Sequence, residues 1–504
     1  MLSDVNIRIA PALMKNLRAT IVKNAVINIV RGGANTLAAL ALLHYLTHTL
    51  DAQRFSAWSL MLQIAAYASF LDFGLQTAIA RFVAQAIELE QNDRRDRVVE
   101  SAFAFLLLAG ALAFVVIGCV IAAAAHLFHG IPAALLSEFQ IATLILALGA
   151  ALALPLSAFS GALYGMHRNE FPAFAVGGGR VAGVLLVILF SHRTHSLITL
   201  ALCVAGAALA GALVQVPMAT HHLPSLRHIR LRVDRVLGAE LLRFCAALTM
   251  WSLSMLIVSG LDLLIVGHFQ FSAVGFYAVG AAAITLIAGF NSSVLGAFLT
   301  PQAALHARGE ISRLSAALRK TSFYNSCFNI FLALSAVIAG HALLRLWVGE
   351  TYAARALPVL IILAIAQAVR LAGAPFCMML IATGEQRRGI ASGLFEAAVN
   401  LTASIVLAYR IGYTGVAWGT LIGAVAGIAA LIAYTAPRAQ AVPFTPWQVL
   451  DTGLLRPLLC LLPMLLFTLA HSLHALPHAT LWGAASLLAS ACLMYSMSEH
   501  TEES

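Results

Sequence analysis

Six ionisable side chains lie within long apolar stretches of the sequence: Arg31, Arg180 and Arg370, and Asp72, Asp262 and Glu396. A charge at the centre of a bilayer costs at least about 2.5 to 3.5 kcal/mol on insertion scales, so each needs a partner or a wet cavity. A guanidinium fork pairs bidentately with phosphate, which makes Arg31, Arg180 and Arg370 candidates for holding an anionic substrate group. The competing reading is structural: an ion pair such as Arg31 with Asp72, or a side chain snorkelling to the cytoplasmic surface. Asp72, Asp262 and Glu396 are read as ion-coupling or charge-balancing groups, binding a proton or sodium ion or neutralising the arginines. Arg243 is a weaker candidate, because it lies close to the inner end of its stretch.

The elements that must position these charges are membrane helices. The 504 residues are 61% hydrophobic and 10% charged, whereas soluble chains carry roughly 25% charged residues. A span needs about 20 mostly apolar residues, and about fourteen such stretches fit between residues 24 and 496. The first is 24–46, the second 57–82, the seventh 238–267 and the ninth 322–347. Lysine and arginine concentrate in alternate loops, as in Arg94-Arg95 with Arg97, Arg227 to Arg235, and Arg387-Arg388. Positive loops stay cytoplasmic, so both termini are expected inside. The formal net charge of +9 is then explained by topology and anionic headgroups, and no nucleic acid is expected as a partner. The N-terminal residues lack the pattern of a cleavable leader.

Other chemistries are excluded or weak. There is no Gly-x-x-x-x-Gly-Lys-Ser/Thr loop for nucleotide phosphates. The seven cysteines are unpaired in spacing, no His-x-x-x-His pair lies within a span, and no metal or cofactor is expected. External loops hold little beyond Asp51, Glu138 and Glu350 as carboxylates, which argues against an enzyme joining sugars outside the membrane.

An internal repeat gives the architecture. Phe55-Ser56-Ala57 opens the second span and Phe271-Ser272-Ala273 the eighth. Six helices per half insert in the same orientation, related by an axis along the membrane normal. The expected fold is therefore an all-α integral membrane protein: two pseudo-symmetric six-helix lobes around a central cavity, plus two C-terminal helices. The segments are a cytoplasmic N-terminal stretch 1–23, an N-lobe 24–219, a cytoplasmic linker 220–237, a C-lobe 238–436, and a final helix pair with a cytoplasmic tail, 437–504. Glycines four apart, such as Gly419, Gly423 and Gly427, are read as close helix packing.

The run Phe70-Leu71-Asp72-Phe73-Gly74-Leu75-Gln76-Thr77-Ala78-Ile79-Ala80-Arg81-Phe82-Val83-Ala84 resembles the second helix of bacterial polysaccharide transporters, the O-antigen and exopolysaccharide repeat-unit flippases. Asp262 with Val266-Gly267, Val274-Gly275-Phe276-Tyr277-Ala278-Val279, Thr300-Pro301, and Leu346-Trp347-Val348-Gly349 with Tyr352 look like that family's C-terminal lobe. The likeness spans roughly residues 20 to 440. The family belongs to the multidrug/oligosaccharidyl-lipid/polysaccharide exporter superfamily. The resemblance implies a bacterial inner-membrane flippase moving undecaprenyl-pyrophosphate-linked oligosaccharide by alternating access, with Arg31 and Arg180 gripping the pyrophosphate. It also implies membrane lipids, a polysaccharide polymerase and a chain-length regulator as partners. A drug extruder of the same superfamily would prefer an acidic cavity. A lipid II flippase would also use arginines, and a scaffold without transport is a third reading.

Overall fold

The structure, a computed structural model, describes residues 38–191, 194–228, 234–442, 445–472 and 479–503. Arg31 and the segment 1–23 lie outside the described residues. The secondary structure described is helical throughout. Its main helices are α1 (Ala52–Ala66), α2 (Leu75–Glu88), α3 (Asn92–Ala122), α4 (Ala133–Gly165), α5 (Glu170–Ser191), α6 (Leu197–His222), α7 (Arg235–Ser259), α8 (Asp262–Gln270) and α9 (Val274–Ala307). They continue with α10 (Ile311–Val348), α11 (Glu350–Ala372), α12 (Ala374–Ala382), α13 (Ile390–Ile411), α14 (Tyr413–Ala430), α15 (Pro446–Leu450), α16 (Arg456–Cys460), α17 (Leu462–Ser472) and α18 (Ala479–Glu503).

This is a multi-pass membrane protein. Among the described residues nine helical stretches are long and apolar enough to cross a bilayer, or ten if the pair bent by 55° around Leu461 is one span. The sequence suggests about fourteen, and particular breaks account for much of the difference. Most of the first expected span lies outside the described residues. The second divides into α1, a 3-10 turn at Tyr67–Asp72, and α2, each too short to cross alone. Phe73 (φ 52°) and Gly74 (φ 74°) take left-handed conformations there. Glycine accepts this freely, while a side-chain-bearing residue pays roughly 1 to 2 kcal/mol. The expected seventh span breaks at Gly260 and Leu261, between α7 and α8.

Helix ends also outrun the apolar core. With 38 residues, α10 is longer than about 30 Å of hydrocarbon requires at about 1.5 Å per residue. It starts at Ile311, before the expected 322, and carries Arg313, Arg319 and Lys320 on its first turns. Hydropathy registers only the lipid-facing part of such a helix.

The chain divides into two compact units. The first holds the segment ending at Tyr45 together with Leu71–Ile121 and Ile141–Ala246. In it α5 lies along α6, where a Cβ on Gly179 would fall 2.8 Å from the Ala207 carbonyl oxygen. Its polar surface includes ion pairs of Arg94 with Glu240 at 3.2 Å and Arg97 with Asp234 at 3.3 Å.

The second unit holds Leu46–Phe70, Ala122–Gln140 and Ala247–Ser504. Here α1 packs against the Phe271–Ala273 turn and α9, so the two Phe-Ser-Ala copies are brought together. The Gly275 amide donates to Ser56 Oγ at 3.1 Å, and the Phe55 ring meets Tyr352 edge-on at 5.4 Å. The tightest pair in this unit is α13 with α14, where Gly423 faces Asn400 and Gly427 faces Glu396. A Cβ on Gly427 would lie 2.5 Å from Glu396 Oε2, so the carboxylate occupies the space that a side chain would need.

Candidate functional site

The second unit gathers three of the six intramembrane charges. Asp262 opens α8 directly after the helix break and is buried. The Tyr277 hydroxyl, from α9, donates to its Oδ2 at 2.7 Å. Thr420 Oγ1, from α14, lies 3.3 Å from the same oxygen and 3.1 Å from the Val416 carbonyl, so its single proton is shared between two acceptors. Asp262 Oδ1 has no hydrogen-bond partner among the described residues.

Arg370 of α11 and Glu396 of α13 form an ion pair at 2.6 Å, both largely buried. A second guanidinium nitrogen donates to Gln367 Oε1 at 3.3 Å, and the third has no partner among the described residues. Arg370 is also near enough to Asp262 for their charges to interact. Two carboxylates and one guanidinium therefore lie in this unit, the guanidinium paired with Glu396. With all three ionised the cluster carries one excess negative charge in an apolar interior, where unpaired charge is expensive. A proton or a small cation bound by oxygen ligands removes that excess.

The break beside Asp262 is tied to the broken second span. Helix ends leave carbonyls without intrahelical partners, and the Gly260 carbonyl accepts from Gln63 Nε2 at 3.0 Å and from the Tyr67 hydroxyl. These two donors stand at the end of α1 and on the following turn. Tyr277, Thr420, Gln63 and Tyr67 surround Asp262 and the break before it, and the sequence reading did not single them out as site residues. Thr420 has one signal: it stands next to Gly419 on the buried glycine face of α14.

The first unit holds Asp72 and Arg180. Asp72 is half-buried, and its Oδ1 accepts from the Gly74 amide at 2.6 Å, bracing the left-handed turn. Arg180 stands midway along the 22 residues of α5, exposed, with no hydrogen bond or ion pair to another described residue. The structure thus brings Arg370 and Glu396 into contact, puts Asp262 within reach of Arg370's charge, and leaves Arg180 unneutralised among the described residues. No group of three or more metal-ligating side chains occurs among the described residues.

A family model described as polysaccharide biosynthesis protein matches residues 21–304, more than half of the chain. The chain belongs to this family. No curated protein matches it in sequence. Solved structures share its fold. The lipid II flippase MurJ, in an inward closed conformation, aligns with a TM-score of 0.68 at 12% identity, covering 95% of this chain and 98% of that one. An inward-facing multidrug resistance transporter of the MATE family, in the MOP superfamily, aligns at 0.62 and 15%, covering 80% and 96%. A MOP superfamily transporter from Pyrococcus furiosus, described by the reverse polarity of its binding pocket, aligns at 0.57 and 16%, covering 81% and 93%. At these identities the likeness is one of fold, and the fold is that of MOP superfamily transporters.

Proposed function

We propose that this family member is a flippase of fourteen spans, moving undecaprenyl-pyrophosphate-linked oligosaccharide repeat units from the cytoplasmic to the periplasmic leaflet of the bacterial inner membrane. It works by alternating access of two six-helix lobes, with both termini cytoplasmic, and serves O-antigen, capsule or exopolysaccharide synthesis. The observation that carries the reading is Arg180: a guanidinium midway along a membrane-spanning helix, exposed and without a counter-ion among the described residues. A diphosphate supplies the missing negative charge in the bidentate geometry that guanidinium prefers. Arg31 is assigned to the same headgroup.

Arg370, held by Glu396, balances charge in this reading instead of binding substrate. Asp262 is the coupling group, taking a proton or sodium ion that offsets the excess negative charge of its cluster. Asp72, which braces its own turn, is assigned to shaping the second span.

Lipid II flipping is the second reading, favoured by the 95% coverage of this chain by the MurJ alignment. Drug extrusion is disfavoured by the cationic character of Arg180, since cationic drugs call for carboxylates.

The test is complementation. A strain whose surface polysaccharide depends on this chain, carrying Arg180→Ala at normal protein level, is expected to lose polymer and accumulate lipid-linked repeats. Unchanged polymer removes Arg180 from the binding site. Rescue of a strain lacking its lipid II flippase, without effect on polymer, favours the second reading.

A further inference from the structure

Sulfur atoms from three helices meet in the second unit, where the last helices pack against α10. Cys327 of α10 and Cys460 of α16 are buried in one cluster with Phe323, and Met494 and Met497 of α18 pack against it. The Cys460 thiol donates to Met497 Sδ at 3.2 Å, and Cys327 is near enough to Cys460 for their ionisations to interact. Met494 and Met497 are three residues apart, so their thioethers share one face of α18. Cys460 is the last residue of α16, at the 55° bend around Leu461.

We propose that this cluster binds Cu(I), with Cys327, Cys460 and Met497 as ligands and Met494 beside them. The assignment goes beyond the flippase reading and does not rest on it. The donor set selects the ion. Thiolate and thioether sulfurs are soft ligands that suit Cu(I), whereas Cu(II) prefers nitrogen and oxygen, and magnesium and calcium take oxygen. Structural zinc is closed by four thiolate, imidazole or carboxylate ligands. Among the described residues no three side chains of histidine, cysteine, aspartate or glutamate come together, so the site exists only when thioethers are counted. Charge agrees with a monovalent ion. Cu(I) replaces the proton of one thiol, and that proton leaves to solvent. The resulting copper thiolate is neutral, and the second thiol and the thioethers are neutral donors, so no net charge enters the apolar interior. Arg456 is one helical turn before Cys460, and Lys320 two turns before Cys327, which puts the sulfurs close to the charged ends of their helices. Because α10, α16 and α18 all touch one another there, a bound ion fastens the C-terminal helices to α10.

The experiment titrates the full chain, purified in detergent under reducing and anaerobic conditions, with Cu(I) against a chromophoric Cu(I) chelator. X-ray absorption at the copper edge reads the ligand shell. A single Cu(I) held per chain in an all-sulfur shell is expected, with thermal unfolding moved to higher temperature by the ion. Cys460→Ala is expected to weaken binding at least about a hundredfold. Met497→Leu, which conserves the volume of the core, is expected to weaken it at least about tenfold. Cys119→Ser and Cys492→Ser, at exposed positions, are expected to leave it unchanged.

Unchanged affinity in both Cys460→Ala and Met497→Leu overturns the site, as does loss of binding in the exposed-cysteine variants, because either places the copper elsewhere. A shell of nitrogen or oxygen also overturns it. Zn(II) held as firmly as Cu(I) overturns the choice of ion. Failure of the wild-type protein to retain Cu(I) leaves the sulfurs as core packing and overturns the proposal, with the transport reading untouched.

Discussion

The Tyr277 hydroxyl donates to Oδ2 of Asp262 at 2.7 Å, while Oδ1 of the same carboxylate has no partner among the described residues. The bond fixes the orientation of a buried acid and leaves one of its oxygens buried without a partner among the described residues. Arg370 is paired with Glu396, and in the proposed reading Asp262 takes the coupling ion.

Asp262→Asn keeps the shape and removes the charge. In proteoliposomes, wild-type transport is expected to respond to an imposed proton or sodium gradient, and the variant is expected to lose that response while remaining folded. Tyr277→Phe keeps the charge but removes the shorter of the two hydrogen bonds to Oδ2, so about a tenfold change in the half-saturating ion concentration is expected. A gradient response preserved in Asp262→Asn would exclude Asp262 as the coupling group.

Breaking a buried ion pair leaves an uncompensated charge and typically costs about 3 to 5 kcal/mol. Arg370→Met is therefore expected to lower the thermal stability of the purified protein sharply. The double variant Arg370→Met with Glu396→Leu is expected to recover most of the loss, because neither member of the pair is left without the other. Thermal unfolding of Arg370→Met, Glu396→Leu and the double variant in detergent closes the cycle. Additive destabilisation would show that the pair is not coupled.

How much was legible in the sequence depends on the kind of signal. Arg370, Asp262 and Glu396 announce themselves because charge among apolar residues is costly wherever the chain folds. Their pairing does not, since Arg370 and Glu396 sit on different helices brought together by packing. The glycines four apart on α14 were readable as a packing face, and Gly423 and Gly427 meet Asn400 and Glu396 there. Tyr277 and Thr420 were not, because neutral polar side chains are tolerated in membrane helices and carry no comparable penalty. The broken spans were hidden for a related reason: hydropathy averages over the Phe73-Gly74 and Gly260-Leu261 breaks, where backbone conformation changes but apolar character does not.

Gly427→Ala tests the close approach of α14 to α13. The added Cβ would lie 2.5 Å from Glu396 Oε2 and 2.9 Å from its Cβ, well inside contact distance, so the Glu396 side chain or its helix must shift. The expected loss is about 1 to 3 kcal/mol, the range for overpacking, read as a lower melting temperature. Gly393→Ala, where the added Cβ meets nothing within 4 Å, is the control and is expected to be near neutral.

Gln63 and Tyr67 both donate to the Gly260 carbonyl, beside Asp262. Gln63→Leu with Tyr67→Phe removes both donors without altering the acid. Ion binding, measured by calorimetry on the purified protein, is expected to persist while transport falls at least about tenfold. Transport unchanged in the double variant would show that the second-span contact plays no part in coupling.

The most direct measurement follows a lipid-linked oligosaccharide across the membrane of proteoliposomes, using a glycosidase outside the vesicle to report arrival at the outer leaflet. Wild-type protein is expected to expose the sugar over time, Arg180→Ala to slow this at least about tenfold, and Arg180→Lys to keep part of the rate because the charge remains without the bidentate fork. Sugar reaching the outer leaflet equally fast with Arg180→Ala, or not at all with wild-type protein, would contradict the proposed capture of a diphosphate headgroup by Arg180.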